Sequence, residues 1–298
     1  MNILITGSNG FLGKIFVSIL NKQNCKIETL NRSNSDYNFD LSNEVPLIDK
    51  KFDLVIHTAG RAHFKPNSNY EIDIIFRNNL YGTYNLLKSL TGAYIPKYFI
   101  FISSVSVYGL SKGTLIDESR PLLASDPYGK SKIEAEKLII NWCNKNNVKY
   151  TILRLPLIIG KAPKGNLYDM INAIKKGYYF NIGNGLAKKS MVLATDVGKI
   201  LITIAPIGGI YNLTDGYHPT VKEFSLFISS KYKYTRIFSI PRILCYIIAL
   251  IGELLGRKSI YNLKKFKQLT STLTFDDSKA CNTFNWRPNA VLNHIEEI

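Results

Sequence analysis

Acidic residues, sulfur and histidine are all scarce in this chain. Its 298 residues hold 22 Asp and Glu against 38 Lys and Arg, with four Cys, four His, three Met and two Trp. Cys25, Cys143, Cys245 and Cys281 stand far apart, so neither a disulfide framework nor a Cys-x-x-Cys zinc site is expected. A reducing, cytoplasmic setting suits such a chain. The opening Met-Asn-Ile-Leu-Ile-Thr-Gly has no basic n-region, so no secretory leader is expected. Long apolar runs are missing too. The segment that invites the question, Ile243 to Ile251, has nine apolar residues and is interrupted by Glu253. A bilayer span needs roughly 20. A buried helix is expected there, with an interfacial anchor flanked by Arg242, Arg257 and Lys258 as the alternative. No internal repeat, low-complexity linker or nucleic-acid-binding signature is found.

What is present is ordinary in bulk: 46% hydrophobic and 20% charged residues. That composition excludes a disordered chain, a coiled coil and a collagen-like fibre. The net charge of +16 admits nucleic acid, a membrane surface or an anionic small molecule as partner. The lysines are spread along the chain, so a small anion is expected, with weak membrane-surface contact kept open and nucleic acid set aside.

Apolar segments alternate with helical patterns. Strands are expected at Asn2–Thr6, Lys26–Leu30, Leu54–His57, Tyr98–Ile102 and Tyr150–Leu155. Helices are expected at Phe11–Leu20, Tyr70–Leu90 and Pro127–Asn146, the last capped by Asp126. This is the pattern of βαβ units and a parallel sheet. After about residue 160 the alternation becomes irregular and glycines cluster, which suggests a smaller C-terminal region.

Three motifs carry chemistry. Gly7, Gly10 and Gly13 fall between the first strand and the first helix. There they would allow a tight turn, backbone approach to a diphosphate and close helix–strand packing. At the end of the second strand stand Asn31 and Arg32, where dinucleotide folds often place a carboxylate for the ribose hydroxyls. An arginine there suits a 2′-phosphate, or is simply a solvated loop residue. Third, Tyr128 and Lys132 lie four apart on a predicted helix, and Ser104 follows the apolar strand that ends at Ile102. A nearby ammonium lowers a phenol's pKa, so Tyr128 is expected to act as an acid/base near neutral pH. His57 and His63 lack a completing ligand, so a structural histidine is expected and no metal site.

Beyond the glycines, Asp40-Leu41, His57-Thr58-Ala59-Gly60, Asn79-Leu80-Tyr81-Gly82-Thr83, Ser103 to Gly109 and Tyr128 to Lys132 occur in a telling order and spacing. Together they resemble the extended short-chain dehydrogenase/reductases, and more narrowly the nucleotide-sugar epimerase/dehydratases. The match runs over essentially the whole chain. It implies a Rossmann-type, doubly wound parallel α/β sheet, with an NAD(P)-binding domain at 1–160. Residues 161–298 would be mainly substrate-binding, with segments returning to the sheet. It implies Ser104, Tyr128 and Lys132 as catalytic residues, with Lys132 also holding the nicotinamide ribose. Cofactor contacts are implied for Gly7, Asn9, Gly10, Phe11, Leu12, Gly13, Asn31, Arg32, Asp40, Leu41, Thr58, Ala59, Gly60, Asn79, Tyr128, Lys132 and Pro156. Substrate contacts are implied for Ser104, Asn166 and Lys189, where Lys189 replaces the family's usual arginine.

Further segments resemble a bacterial polysaccharide subgroup. They are His57 to His63, Phe76 to Asn79, Pro163 to Leu167, Leu269 to Leu273, Asp277 to Ala280 and Phe284 to Pro288. That subgroup contains 4-keto-reductases of UDP-N-acetyl-6-deoxyhexosamines and UDP-glucose 4-epimerase-like proteins. Leu157 stands where many epimerases have asparagine. The leading expectation is a UDP-sugar 4-keto-reductase in surface-polysaccharide or O-antigen precursor synthesis, with NADP(H) favoured over NAD(H). The alternatives are a nucleotide-sugar 4-epimerase that retains its NAD, and a non-catalytic NAD(P)-binding regulator. A homodimer is expected.

Overall fold

The computed structural model describes the chain apart from residues 63–65, 67, 164, 233–235 and 256–260. His63, Lys164, Arg257 and Lys258 therefore lie outside the described residues. The strands are β1 (Asn2–Thr6), β2 (Lys26–Asn31), β3 (Tyr37–Asn38), β4 (Leu54–His57), β5 (Tyr98–Ser104), β6 (Gly113–Ile116), β7 (Lys149–Leu155), β8 (Leu157–Ile159), β9 (Phe180–Ile182), β10 (Met191–Leu193), β11 (Gly209–Asn212), β12 (Phe238–Ile240) and β13 (Leu273–Phe275). The helices are α1 (Phe11–Asn21), α2 (Asn69–Phe76), α3 (Gly82–Ser89), α4 (Pro127–Lys145), α5 (Asn166–Lys175), α6 (Ala194–Ile204), α7 (Val221–Lys231), α8 (Arg242–Leu254), α9 (Leu263–Thr270) and α10 (Ser278–Phe284).

Seven strands form one parallel sheet in the order β11-β7-β5-β4-β1-β2-β3. The strand order reverses direction between β1 and β4, which is where a doubly wound sheet opens a crevice beyond the strands' carboxyl ends. Both faces of the central strands β1, β4 and β5 are buried, which is why these read as near-continuous apolar runs. Ile3 and Ile5 face a core shared with Phe16 and Leu20 of α1 and Val197 and Leu201 of α6. Leu4 faces the other core, with Leu86 and Leu87 of α3 and Ala135 and Ile139 of α4. A third core joins α5, α7 and β10 through Leu167, Ile171, Phe224, Ile228 and Met191. This smaller C-terminal region is pinned to the first by two short parallel pairs, β10–β8 and β13–β6, while a third, β12–β9, lies within it.

Two expectations need correction. The helix expected at Tyr70–Leu90 is interrupted by a π turn at Arg77–Tyr81 between α2 and α3. Side-chain periodicity carries no signal for one widened turn, and such turns recur at functional sites. The apolar run at 243–251 is helical within α8, yet it is not buried. Only Cys245, Ala249 and Gly252 of this helix are buried. Among the described residues no helix is long and apolar enough to cross a membrane.

Candidate active site

The glycine turn is built as its spacing predicts. Gly7 adopts φ +72°, and a Cβ there would lie 2.7 Å from the Ala59 backbone. The Gly10 amide donates to the Gly7 carbonyl, and Gly10 caps α1. Asn31 is spent on this turn. Its Nδ2 donates to Ser8 Oγ at 2.6 Å and its Oδ1 accepts from the Asn9 amide at 3.2 Å. Gly7, Asn9, Gly10, Asn31, Arg32, Asp40, Leu41, Thr58, Ala59, Gly60, Arg61 and Asn78 line one cavity of about 410 Å³ over the β1/β4 crossover. The backbone cradle at the helix N-terminus, where Gly7 and Gly10 present no Cβ, suits the diphosphate of a dinucleotide.

Arg32 stands at the cavity edge. Its Nη2 donates to Asn78 Oδ1 at 2.6 Å, and its Nε lies 3.3 Å from Asp40 Oδ1. Burial would raise the Asp40 pKa, but hydrogen bonds from Ser42 and the Arg32 charge bring it below the usual carboxylate range. Arg32 stays more than half exposed, open to a further anion.

The second half of the site gathers on β5 and α4. Ser104 ends β5 and caps a short 3₁₀ turn, its Oγ accepting from the Ser106 amide. Asp126 caps α4 by accepting from the Gly129 amide at 3.0 Å, with Pro127 in the first turn. A Cβ on Gly129 would come within 2.9 Å of the Ser106 carbonyl. Glycine at that position therefore lets the start of α4 settle against the Ser104 loop. It brings the Tyr128 phenol close enough to Ser104 for that side chain to pull its pKa down.

The electrostatics differ from expectation. Burial pushes the Tyr128 phenol up to about 12, more than the Ser104 hydrogen bond lowers it, and nearby Asp126 adds to the rise. Lys132 does not offset this. Its Nζ donates to the Ile102 carbonyl at 2.8 Å and sits 4.3 Å from the Phe101 ring centre. Burial lowers its own pKa to about 8, against the pull of Glu136. At neutral pH Tyr128 is therefore protonated.

Asn79 joins the two halves. It sits buried in the π turn, its Oδ1 accepting from the Arg61 amide at 2.6 Å and its Nδ2 donating to Ser131 Oγ at 2.9 Å. Ser131 in turn donates to the Tyr128 carbonyl. A Cβ on Gly60 would lie 3.0 Å from Asn79 Oδ1 and 3.7 Å from Lys132 Nζ, so Ala59-Gly60, Asn79 and Lys132 converge. His57 is wholly buried. Its Nδ1 lies 2.6 Å from Thr6 Oγ1 and its Nε2 2.9 Å from Thr83 Oγ1. Thr83 spends its proton on the Asn79 carbonyl, so His57 donates from Nε2. Burial and the Lys132 charge push its pKa down to about 3, and it is neutral. Among the described residues no cluster fit to hold a metal occurs.

The other expected residues are placed as follows. Pro156 links β7 to β8, and Phe11 and Leu12 open α1. Asn166 starts α5, and its Oδ1 lies 3.4 Å from Lys265 Nζ. Lys189 donates to the carbonyls of Gln268 and Ser271, tying down the end of α9, and burial lowers its pKa to about 8. Both flank α9 and lie outside the lining of the cofactor-side cavity.

Sequence reading missed a buried network behind the site. Arg154 of β7 grips Glu136 of α4 with Nε and Nη2, at 3.2 and 2.8 Å. Glu136 also accepts from Ser103, the neighbour of Ser104. Arg154 Nη1 donates to the Tyr108 hydroxyl, which donates to Asn212 of β11. The available signal was spacing: Glu136 follows Lys132 by four residues, on the same stripe of α4.

A doubly wound sheet with this glycine turn and a Ser–Tyr–Lys cluster at its carboxyl edge defines a nucleotide-cofactor enzyme of the Rossmann type. The chain belongs to the NAD-dependent epimerase/dehydratase family, whose model matches residues 3–213. It is 29% identical over 320 aligned residues to a UDP-glucose 4-epimerase of Vibrio cholerae, covering 98% of this chain and 92% of that protein. It is 26% identical to an N-acetyl-α-D-glucosaminyl-diphospho-ditrans,octacis-undecaprenol 4-epimerase of Escherichia coli O157:H7, covering 93% and 88%. The structure of a Pseudomonas aeruginosa protein designated RMD, solved with NADPH, superposes with a TM-score of 0.76 at 20% identity, covering 99% and 97% of the two chains.

Proposed function

We propose that the protein is an NADPH-dependent 4-keto-reductase of a UDP-sugar, working in surface-polysaccharide precursor synthesis. The observation that carries the reading is the Tyr128 phenol beside Ser104, its pKa pushed up to about 12 by burial. Reduction of a ketone needs an acid at the carbonyl oxygen, whereas oxidation of an alcohol needs a base there. With a pKa raised to about 12, Tyr128 is poised as the acid. Ser104 would hold the C4 oxygen by hydrogen bonding, and Tyr128 would deliver its proton to that oxygen. Lys132, backed by the Ile102 carbonyl, would hold the nicotinamide ribose. The nicotinamide, when bound, supplies the hydride. The absence of a carboxylate at the end of β2, together with a half-exposed Arg32, favours a 2′-phosphorylated cofactor.

A second reading, a 4-epimerase with retained NAD, is favoured by the names of the two full-length relatives. One of those names puts the sugar diphosphate on a polyprenyl chain, so this reading extends to either carrier. The two readings separate on supplying a UDP-4-keto-6-deoxy-N-acetylhexosamine with NADPH or NADH. One NADPH oxidised per sugar reduced supports the reductase. Interconversion of C4 epimers without net cofactor oxidation overturns it in favour of the epimerase.

A further inference from the structure

Helix α8 inverts the usual pattern of a surface helix, in which large apolar side chains face the core and polar ones face water. Its inward stripe is small: Cys245, Ala249 and Gly252 pack near Phe266 of α9. Its large side chains point outward. Ile243 is 63% exposed, Ile247 45%, Ile251 52% and Leu254 88%. Leu244, Ile248, Leu250 and Leu255 widen the face, and Phe238, just before the helix on β12, extends it at 68%. A contiguous apolar face of this kind marks a docking surface.

The surroundings say what docks. From Phe224 to Phe275 the chain has nine Lys and Arg and one acid, Glu253. That net +8 is half of the chain's +16, held in 52 residues. The lysines are spread along the chain, as expected; what sets this stretch apart is the near-absence of acids. Glu253 is itself engaged, its Oε2 accepting from the Leu263 amide at the start of α9. Arg236, Arg242, Lys264 and Lys267 are exposed, and none forms an ion pair with a described residue. The face thus pairs large apolar side chains with a cationic surround, the chemistry of a helix lying in the interface of an anionic bilayer. A second copy is a poor occupant, because a two-fold pairing would set this cationic segment against itself.

We propose that α8, Phe238 and the lysines of α9 form a surface that docks in plane on an anionic lipid bilayer. At 13 residues, about 20 Å, α8 is too short to cross one and lies along it. Pro241 and Arg242 at its start, and Leu269 and Thr270 on α9, also line a cavity of about 790 Å³. Docking would hold that cavity beside the bilayer. The proposal stands whichever way the C4 chemistry runs.

The test is co-sedimentation of the full chain with vesicles of phosphatidylcholine, alone or with phosphatidylglycerol added. Binding should require phosphatidylglycerol and weaken as salt is raised. Ile247→Glu combined with Leu250→Glu should lower vesicle affinity at least tenfold. Lys264→Glu with Lys267→Glu should do the same at low salt. All four positions are exposed or on the outer face, so thermal unfolding checks that each variant is folded. Failure of the wild-type chain to bind either vesicle overturns the proposal. So does equal binding by folded variants. A dimer that Ile247→Glu dissociates in sedimentation velocity, in a chain that ignores vesicles, overturns it in favour of a second copy.

Discussion

Replacing Glu136 by alanine strands a guanidinium in the core. The Arg154 and Glu136 side chains are only 4% and 2% exposed and are joined by two hydrogen bonds. Solvent does not screen such a pair, and removing one partner leaves an uncompensated buried charge. The expected loss is about 3–5 kcal/mol. For 298 residues the unfolding entropy is roughly 0.6 kcal/mol per kelvin, so the midpoint should fall by about 5–8 °C. Calorimetry or thermal circular dichroism reads this directly. Replacing both partners, Glu136→Ala with Arg154→Met, should recover much of the loss, because the stranded charge is gone. Glu136 also holds Ser103, so the single variant should lower turnover by loosening Ser104, with thermal loss and turnover falling together. A midpoint within about 1–2 °C of wild type, the effect of only about 1 kcal/mol, would refute the account of this network.

Three further outcomes follow from the site. Tyr128→Phe removes only the proton-bearing oxygen and should lower turnover by about 10²-fold or more while cofactor binding survives in titration calorimetry; near-normal turnover under chemistry-limited conditions would reject the assignment. Lys132 has a folded pKa of about 8 against an unfolded value of about 10.4, so the unfolded chain holds more protons between them. Stability should therefore rise as pH climbs from about 8 to about 10, with the penalty fully present below 8, and Lys132→Met should flatten part of that rise in pH-dependent denaturant melts. Arg32→Ala should shrink any NADPH-over-NADH preference by roughly ten- to hundredfold, the worth of a charge-assisted pair. An unchanged ratio of kcat/KM values would mean that Arg32 does not read the 2′-phosphate.

Some of this was legible in the residues and some was not. The strands announced themselves because both faces of the sheet are buried, so period and apolarity coincide in Asn2–Thr6 and Leu54–His57. The glycine turn and the Tyr128–Lys132 stripe were legible because each needs fixed residue types at fixed spacing. The π turn that presents Asn79 was hidden, since one widened turn leaves the apolar rhythm of 69–89 nearly intact. The sign of the Tyr128 shift was hidden for a different reason. Spacing said that Lys132 is near, but only the fold shows its ammonium held by the Ile102 carbonyl and the Tyr128 pKa raised by desolvation. The exposure of α8 was hidden because apolar composition does not say which side faces the protein; the small residues Cys245, Ala249 and Gly252, not the large ones, do the packing.

The central claim is that a proton from Tyr128 and a hydride from NADPH reduce C4 of a UDP-linked 4-keto sugar. Its most direct test is the fate of deuterium carried on the nicotinamide C4 of NADPH. The protein is incubated with a UDP-4-keto-6-deoxy-N-acetylhexosamine, and the product is analysed by mass spectrometry and NMR. The account predicts one deuterium at sugar C4 for each NADPH oxidised, and loss of that product with Tyr128→Phe. A product without deuterium from added NADPH, formed by protein that retains NAD through purification and interconverts C4 epimers, would contradict it.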